Sequence, residues 1–409
     1  MIGRRTFLQT AAFSAAASAL PPPLLAASSM PLPPPIGAAE RLQRIARAQA
    51  RMKATGVAAV LVEAGPSLDY FTGVRWGRSE RLTGVVIPAQ GKPVVITPFF
   101  ERPSVEQTLI IPADVRTWNE DEEPLKFVAD AIREHGGASG KVGMEETNRY
   151  FLADRLAKQL PKAKIVSANP VVREVRMRKT PAELALMQAA TDITIDAIRD
   201  VHGQLKPGMS AGDVSRLLSK AMTSRGGDDD WALVLFGPAA ALPHGTREKQ
   251  ALKRGDVVLI DTGCAVHGYQ SDISRTFVFD ADPLPEVRKV WEQVAAGQKI
   301  AIQAARLGAA AGSVDDAVRA AYTRWGYGPG YKLPGLSHRT GHGIGMEGHE
   351  PVNLVHGETT PLAVGMCFSN EPGIYLPGKF GVRLEDCFHM TEAGPKFFST
   401  PPASIDQPV

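Results

Sequence analysis

The stretch DVVLIDTGCAVHGYQSDISRTFVFD, residues 256–280, contains two apolar strand patterns, and each carries an aspartate. Asp261 ends the first strand, Asp272 begins the second, and His267-Gly268 lies between them where a tight turn is expected. Folding this segment as a hairpin brings the two carboxylates within reach of one site. Carboxylates among apolar strand residues need a cation or hydrogen-bond donors to offset their lost hydration. The stretch therefore predicts a hairpin that binds metal.

A second stretch, NEPGIYLPGKFGVRLED at residues 370–386, repeats this arrangement. Glu371 and Glu385 flank a turn, so this hairpin also presents two carboxylates to one face. His342, in the run GHGIG, can approach such a site without steric hindrance. No Lys-Ser or Lys-Thr follows this run, which argues against a phosphate-binding loop. Four carboxylates and one imidazole suit two divalent metal ions that share a hydrolytic water. This set favours manganese, iron, cobalt or zinc over copper and does not choose among the four.

An internal repeat connects the two hairpins. Seven residues between positions 208 and 226 recur 100 positions later, and four around Asp261 recur around Glu371 with an offset of 110. Chance coincidence of small helical residues is the alternative explanation. A real repeat would give the domain two similar halves, with Asp261 and Glu371 at equivalent places beside a pseudo-twofold axis.

The bulk composition is that of a globular protein with more than one domain. The chain has 409 residues, of which 44% are apolar and 22% are charged. A formal net charge of +3 gives no reason to expect nucleic acid or a membrane surface as a partner. We expect Cys264, Cys367 and Cys387 to be small buried strand residues, with a thiol metal ligand as the alternative.

Residues 1–30 differ from the rest of the chain. The run Arg4-Arg5-Thr6-Phe7-Leu8 precedes a mildly apolar, alanine-rich segment, and together they resemble a twin-arginine export signal. The alternative is a short helix with a chance pair of arginines. Residues 31–37 are proline-rich and predict a stiff, disordered tether. We therefore expect a periplasmic protein without a membrane anchor once the signal is removed.

The remaining sequence predicts two domains. In residues 38–172, helical and strand patterns alternate, which indicates an α/β N-terminal domain that is structural or forms one wall of a cleft. Within it, residues 69–73 are predicted to form a bend. Residues 173–409 form the predicted catalytic domain, where Thr180 followed by Pro181 and Glu183 marks a helix start.

The order Asp, Asp, His, Glu, Glu in these motifs resembles that of the pita-bread metallopeptidases. This family includes Xaa-Pro aminopeptidase, prolidase, methionine aminopeptidase and the metal-free relative creatinase. The run Tyr70-Phe71-Thr72-Gly73 is similar to the N-terminal domain of the proline peptidases and creatinase. The resemblance implies an α/β creatinase-like domain followed by an α+β pita-bread domain. No ligand position departs from the family pattern, which argues against an enzyme that works without metal.

The resemblance also implies a role for each ligand. Asp261 would chelate one metal, Asp272 and Glu385 would bridge both, and His342 would bind the other metal beside Glu371. Two cations lower the pKa of a bridging water and so provide a hydroxide near neutral pH. Glu371 would act as the general base that passes a proton to the leaving nitrogen.

Three further histidines match substrate-handling positions of the proline peptidases. By resemblance, His349 would stabilise the tetrahedral oxyanion, His244 would contact the substrate near the leaving group, and His338 would line the proline side. A surface or capping role is the alternative for each histidine.

Arg383 is the remaining candidate site residue. It could pair with Asp272 or Glu385, or bind a substrate carboxylate.

These observations together predict an exported dinuclear metallopeptidase that cleaves Xaa-Pro bonds in small peptides. Such a bond has a tertiary nitrogen and no N–H group. A homodimer is expected from the resemblance, because dimers are common among relatives. Two alternatives stay open: a metal-dependent hydrolase of another small amide or cyclic amidine, and a non-catalytic peptide-binding protein. Loss of ligands would mark the second alternative, and no ligand is lost.

Replacing Arg4 and Arg5 with Lys tests the export hypothesis. We expect the doubly substituted chain to accumulate in the cytoplasm, because the twin-arginine pair is the recognised feature of such signals. Fractionation of cells that express the two forms, followed by immunoblotting, measures the distribution. Unchanged export of the Lys-Lys form would contradict the hypothesis.

Overall fold

A computed structural model describes residues 31–409, so the predicted export signal in residues 1–30 lies outside the described residues. Residues 31–37 have no regular secondary structure. Ile36 is nevertheless buried in the hydrophobic core, which fixes the predicted tether at this residue. None of the helices within residues 31–409 has the length and apolar character that crossing a membrane requires.

The N-terminal domain is a six-stranded sheet with helices around it. Its helices are α1 (Ala38–Thr55), α2 (Pro66–Thr72), α3 (Arg102–Thr108), α4 (Pro124–Glu134), α5 (Tyr150–Gln159) and α6 (Val172–Arg176). Its strands are β1 (Val57–Glu63), β2 (Gly84–Pro88), β3 (Val94–Pro98), β4 (Asp114–Trp118), β5 (Lys141–Met144) and β6 (Lys164–Ser167). The strand order is β4-β3-β2-β1-β5-β6, in which β1, β2 and β3 pair antiparallel and the outer pairs are parallel.

The predicted bend at residues 69–73 is wrong, because this segment is the end of α2. Pro66 occupies the first turn of the helix, where a missing N–H group costs nothing. Gly73 ends the helix with a φ of 87°, the left-handed conformation that suits glycine. A seven-residue helix is too short to show a clear apolar period in the sequence, and the tight turn at its end was the stronger signal.

The C-terminal domain contains four helices and eleven strands within the described residues. The helices are α7 (Pro181–His202), α8 (Ala211–Thr223), α9 (Pro285–Ala304) and α10 (Gly312–Arg324). The strands are β7 (Asp228–Phe236), β8 (Val257–Val266), β9 (Tyr269–Gln270), β10 (Ile273–Val278), β11 (Gly341–Gly343), β12 (Glu350–Leu354), β13 (Cys367–Asn370), β14 (Gly373–Leu376), β15 (Phe380–Arg383), β16 (Asp386–Thr391) and β17 (Gly394–Phe397). Two sheets, β10-β8-β7 and β12-β11-β13-β16-β17, adjoin the two-stranded β14-β15 ribbon.

The internal repeat is visible in matching hydrogen bonds of the two halves. Gly208, which precedes α8, donates its N–H to the carbonyl of Leu252 at 2.8 Å, and Gly308, which precedes α10, donates to Leu362 at 2.8 Å. The two glycines have φ values of 85° and 79°, a conformation that favours glycine in both halves. In each half, the same contact therefore joins the segment before the helix to the loop that leads into the strand of Asp261 or the strand before Glu371.

Thr180 and Glu183 begin α7 as the sequence predicts. The Thr180 hydroxyl accepts from the Glu183 N–H at 3.4 Å, and the Glu183 carboxylate accepts from the Thr180 N–H at 2.8 Å. Glu183 is also 3.2 Å from Arg44 of α1, and both side chains are almost completely buried. Arg44 in turn donates to the Tyr269 hydroxyl at 2.9 Å. A buried charge pair thus joins the two domains.

A second buried cluster at the domain interface centres on Glu350. Its carboxylate accepts from Arg176 of α6 at 2.6 Å and from Lys179 at 2.9 Å. Arg176 also donates to the Ser67 hydroxyl of α2 at 2.7 Å. These neighbouring cations hold the pKa of the Glu350 carboxyl at about 2, although burial alone would raise it. The interface therefore places a permanent negative charge at the start of β12.

The Arg44–Glu183 pair provides a stability prediction. Arg44→Met should lower the free energy of unfolding by about 3 to 5 kcal/mol, because it leaves the Glu183 carboxylate buried without its cation. Urea unfolding followed by circular dichroism measures the change. Arg44→Met combined with Glu183→Gln should recover part of the loss, and Arg47→Met, at an exposed position of the same helix, is the control. A loss below about 1 kcal/mol for Arg44→Met would contradict this account.

Candidate metal centre and active site

One cavity of about 930 Å³ contains every site residue that the sequence predicts. Its wall combines the five candidate metal ligands, the three substrate-handling histidines and Arg383 with residues that the sequence did not single out. The cavity is lined by Trp231, Leu233, His244, Asp261, Asp272, His338, Arg339, His342, Gly348, His349, Val355, Glu371, Arg383 and Glu385.

The hairpins bring the four carboxylates together. In the first hairpin, the strand register differs slightly from one that would place Asp261 and Asp272 directly opposite each other. His267 and Gly268, which both have positive φ, form a two-residue turn across which β8 pairs with β9. The chain then continues from β9 into β10. Asp261 is opposite Ser274 in this register, and Asp272 precedes Ser274 by two residues. Residues two apart on a strand face the same side. The two aspartates are therefore diagonal neighbours rather than a directly opposed pair.

The second pair of carboxylates reaches the cavity from the β14-β15 ribbon. Gly373 is opposite Arg383 at the open end of this ribbon, and Glu371 and Glu385 lie just beyond that end, one on each strand. The Glu385 N–H donates to the Ser274 carbonyl at 3.1 Å, which attaches this ribbon to β10. The Glu371 N–H donates to the Thr340 carbonyl at 2.9 Å, next to the strand of His342.

Close strand packing directs the His342 ring toward the carboxylates. A Cβ atom on Gly341 would lie 2.1 Å from the Ser369 carbonyl oxygen, so only glycine fits there. The Nδ1 atom of His342 is 3.1 Å from the Gly343 carbonyl oxygen. Its Nε2 atom is 3.6 Å from Asp272 Oδ2 and 3.4 Å from Glu371 Oε1. Ligand atoms of His342, Glu371 and Glu385 lie within 4.8 Å of one another, as do those of Asp261, Asp272 and Glu385.

Burial makes it energetically costly for these neighbouring carboxylates to be ionised together. It raises the pKa of Asp272 and of Glu385 well above the usual range, and the neighbouring carboxylates raise each further. Burial also raises the pKa of Glu371, to about 7. For His342, burial and the nearby His349 lower the pKa, which favours the neutral imidazole that binds metals.

Two carboxylate oxygens test whether divalent cations fit here. Asp272 Oδ1 and Glu385 Oε1 are buried, and neither has a hydrogen-bond partner within residues 31–409. Unpaired buried oxygens are rare because each forfeits its hydration. Oxygen ligands around one neutral imidazole are also the donors that manganese, iron, cobalt or zinc accept. The residues present therefore fit divalent cations.

The three candidate substrate-handling histidines occupy different positions on the wall. The Nε2 atom of His338 is 2.8 Å from the Tyr375 hydroxyl, and burial lowers the pKa of this histidine to about 3. The exposed His349 ring lies 4.0 Å from the His342 ring between centroids. Asp272, His342 and His349 also place ligand atoms within 4.8 Å, so geometry alone leaves metal binding open for His349. His244 is exposed on the cavity wall.

Arg383 pairs with Glu385, one of the two predicted partners, and more closely with Asp261, which was not predicted. Its guanidinium binds Asp261, while the distance to Glu385 is 3.9 Å. It also donates to the Ser274 and Tyr375 hydroxyls at 2.8 and 3.1 Å, and to the Pro243 carbonyl at 3.1 Å. A substrate carboxylate would have to displace these partners. Asp261 was overlooked as the partner because the β15–β8 contact is not local in sequence.

The sequence reasoning missed Trp231 and Arg339 as lining residues. Arg339 had a usable signal, since it lies between His338 and His342 in the run HRTGH. Trp231 follows three aspartates that begin β7. An aromatic residue in a strand carries no chemical signal of its own.

Comparisons with known proteins agree with this geometry. Residues 185–392 match metallopeptidase family M24, and residues 44–178 match the creatinase/prolidase N-terminal domain. The chain is 33% identical over 364 residues to the probable dipeptidase PepE of Mycobacterium tuberculosis, covering 86% of this chain and 92% of the relative. It is 30% identical over 297 residues to the Xaa-Pro dipeptidase of Pyrococcus furiosus, covering 71% and 84%.

Solved structures show the same likeness. The dipeptidase PepE of Mycobacterium ulcerans superposes with a TM-score of 0.83 at 32% identity, covering 91% of this chain and 98% of that one. A prolidase from Thermococcus sibiricus superposes with a TM-score of 0.80 at 30% identity, covering 88% and 97%. These matches confirm the predicted fold class of a creatinase-type domain followed by a pita-bread domain. The chain therefore belongs to metallopeptidase family M24.

Proposed function

We propose that this peptidase hydrolyses Xaa-Pro bonds in small peptides with two divalent metal ions, manganese being the expected metal. The observation that carries the proposal is the unpaired state of Asp272 Oδ1 and Glu385 Oε1 in a cavity that four histidines line. The relatives named Xaa-Pro dipeptidase and prolidase support the choice of substrate.

The five ligands would divide between the two ions. Asp261 would hold one ion, His342 and Glu371 would hold the other, and Asp272 and Glu385 would contact both. When bound, such ions lower the pKa of a water molecule and polarise a carbonyl group. The Ser274 hydroxyl oxygen lies 2.8 Å from Asp261 Oδ1 and 2.8 Å from Glu385 Oε2, and it donates a hydrogen bond to one of them. Ser274 thus orients a ligand carboxylate without being a metal ligand itself.

Glu371 is placed to move the proton that the reaction requires. Its carboxylate lies between His342, 3.4 Å away, and His338, 3.8 Å away, on the cavity wall. A carboxylate there can accept a proton from the attacking water and return it to the leaving nitrogen. The nitrogen of the scissile bond must gain a proton to leave as an amine rather than as an amide anion, so this delivery is needed for the proline to leave.

His349 is oriented to donate a hydrogen bond into the cavity. An Nη atom of Arg339 lies 3.1 Å from His349 Nδ1, and a guanidinium can only donate. Nδ1 therefore accepts, and the ring proton of the neutral imidazole lies on Nε2. An Nε2–H donor beside the centre can stabilise the oxyanion that forms on the scissile carbonyl.

Metal analysis combined with substrate comparison tests the proposed function. We expect two metal equivalents per chain, and cleavage of Ala-Pro that is much faster than cleavage of Ala-Ala. Ala-Pro-Ala reports whether longer peptides are accepted. Removing the metals with a chelator should abolish cleavage, and adding manganese should restore it. Binding of fewer than two ions, or equal cleavage of Ala-Ala, would contradict the proposal.

His349→Ala separates an oxyanion role from a metal-ligand role. We expect kcat for Ala-Pro to fall about 100- to 1,000-fold, as for loss of an oxyanion donor, with metal content unchanged. Elemental analysis of the purified variant supplies the second measurement. His356→Ala, which removes an exposed imidazole outside the cavity, is the matched control. Loss of one metal equivalent in His349→Ala would show that this residue is a ligand.

We also propose that the protein acts in the periplasm after twin-arginine export, and that it assembles as a homodimer. The Arg4-Arg5 pair supports the first proposal, and the likeness to proline peptidases supports the second. Fractionation after the double Lys substitution and sedimentation of the mature chain are the respective tests.

A further inference from the structure

The segment that carries His338 into the cavity has no regular secondary structure. Residues 328–340 form neither a helix nor a strand, so their position depends on contacts with other parts of the chain. His338 lines the cavity, and its Nδ1 atom lies 3.8 Å from Glu371 Oε2. A side chain in an active site has to be held within about 0.5 Å of its working position. Groups outside the cavity must therefore fix this segment.

Two residues of α10, Asp315 and Arg319, contact this segment although neither lines the cavity. They are four positions apart and therefore lie on the same face of the helix, where Arg319 Nε donates to Asp315 Oδ2 at 2.7 Å. The Arg319 guanidinium also donates to three carbonyl oxygens of the segment. These belong to Gly330 at 2.8 Å, to Leu336 at 2.9 Å and to His338 itself. Arg319 thus holds the backbone of His338 directly.

Asp315 holds the end of the same segment, and its side chain is completely buried. Its Oδ1 atom accepts from the Thr340 N–H at 3.0 Å and from the Thr340 hydroxyl at 2.7 Å. Its Oδ2 atom accepts from the His356 N–H at 3.0 Å as well as from Arg319. Hydrogen bonds to an ionised carboxylate are among the stronger ones in proteins. Asp315 and Arg319 together therefore fix residues 330–340 against α10, and we call this pair the α10 clamp.

The candidate metal ligands next to this segment have support of their own. The His342 N–H donates to Ser369 Oγ at 3.0 Å, and the strand of His342 pairs with β12 and β13. The Glu371 N–H donates to the Thr340 carbonyl, but Glu371 also follows β13 directly, and β13 pairs with β16. Loss of the α10 clamp should therefore displace His338 and leave the metal centre intact.

We propose that the α10 clamp positions His338 for substrate binding, so that Asp315 and Arg319 influence the reaction from outside the cavity. This inference rests on the proposed function and adds two positioning residues to it. The Tyr375 hydroxyl, 2.8 Å from His338 Nε2, holds the imidazole ring, and the clamp holds the backbone behind it. Displacement of an active-site group by about 1 Å can cost about 100-fold in rate, even when the altered residue lies far from the reacting bond.

A purely structural role for the clamp would leave another signature. If Asp315 and Arg319 only stabilised the fold, Arg319→Gln would slow the wild-type protein and a His338→Ala variant by the same factor. If the clamp acts through His338, removing the imidazole should make Arg319→Gln almost silent. A double-mutant cycle distinguishes the two roles, because substitutions that act through one another are not additive.

The kinetic test combines Arg319→Gln with His338→Ala. We expect Arg319→Gln alone to lower kcat/KM for Ala-Pro about 10- to 100-fold, and to lower it less than about threefold when His338 is already alanine. Thr340→Val is a second, milder variant, because it removes one hydrogen bond to Asp315 and keeps the shape of the side chain. It should lower kcat/KM about three- to tenfold, again only when the His338 imidazole is present.

Each kinetic outcome has a definite meaning. An equal slowing with and without the His338 imidazole, or no slowing of the wild-type protein by Arg319→Gln, overturns the proposal. Loss of metal from Arg319→Gln also overturns it, because the clamp would then act on the metal centre. Arg324→Gln, at an exposed position of the same helix, is the matched control and should not change kcat/KM.

Nuclear magnetic resonance separates this inference from the proposed function. In the zinc-loaded protein with isotope-labelled histidines, the imidazole signal that His338→Ala removes belongs to His338. Arg319→Gln should shift this signal and leave the signals of His202 and His389, which lie outside the cavity and are assigned in the same way, unchanged. Absence of Xaa-Pro cleavage combined with the shift would reject only the proposed function. An unshifted His338 signal in Arg319→Gln would overturn the role of the clamp.

Discussion

Repulsion among four carboxylates, held close together at a site where burial limits their hydration, is the constraint on which the C-terminal domain depends. Asp272 and Glu385 are almost completely buried, and each has an oxygen with no partner within residues 31–409. Such an arrangement is costly unless cations offset it. Arg383, which binds Asp261, offsets part of the charge from within the protein. The remaining charge is what makes the cavity suitable for divalent metals.

The surrounding structure holds this repulsive group in place through a second buried charge pair. Arg275 binds Asp386 at 2.7 Å, next to Glu385 in sequence, and donates to the Glu385 carbonyl at 2.8 Å. Gln298 of α9 donates to Asp386 at 3.2 Å and to the Asn370 carbonyl at 3.1 Å. The backbone beside two ligands is thus fixed by groups that do not line the cavity, as is common around metal sites.

Much of the fold followed from local signals in the sequence. The capping pair Thr180 and Glu183 and the turn at His267-Gly268 are each set by residues close in sequence, so their structural consequences could be predicted. The repeat around Gly208 could be predicted because the same residues recur at a fixed offset. The candidate ligands were recognisable because carboxylates are unusual beside apolar strand residues. The Asp261 partner of Arg383 and the position of Trp231 depend on contacts between distant strands, which one sequence does not specify. The end of α2 was missed because a short helix leaves little periodicity.

The Glu350 cluster makes the two domains depend on each other at their interface. Glu350 follows His349 directly, and it is held by Arg176 and Lys179 from the connecting segment, with Ser67 of the N-terminal domain behind Arg176. The start of β12, next to His349, is therefore anchored to the segment that connects the domains and, through Arg176, to Ser67 of the N-terminal domain. The two domains therefore depend on each other. Exchanging one of them would remove the counter-charges of buried groups in the other.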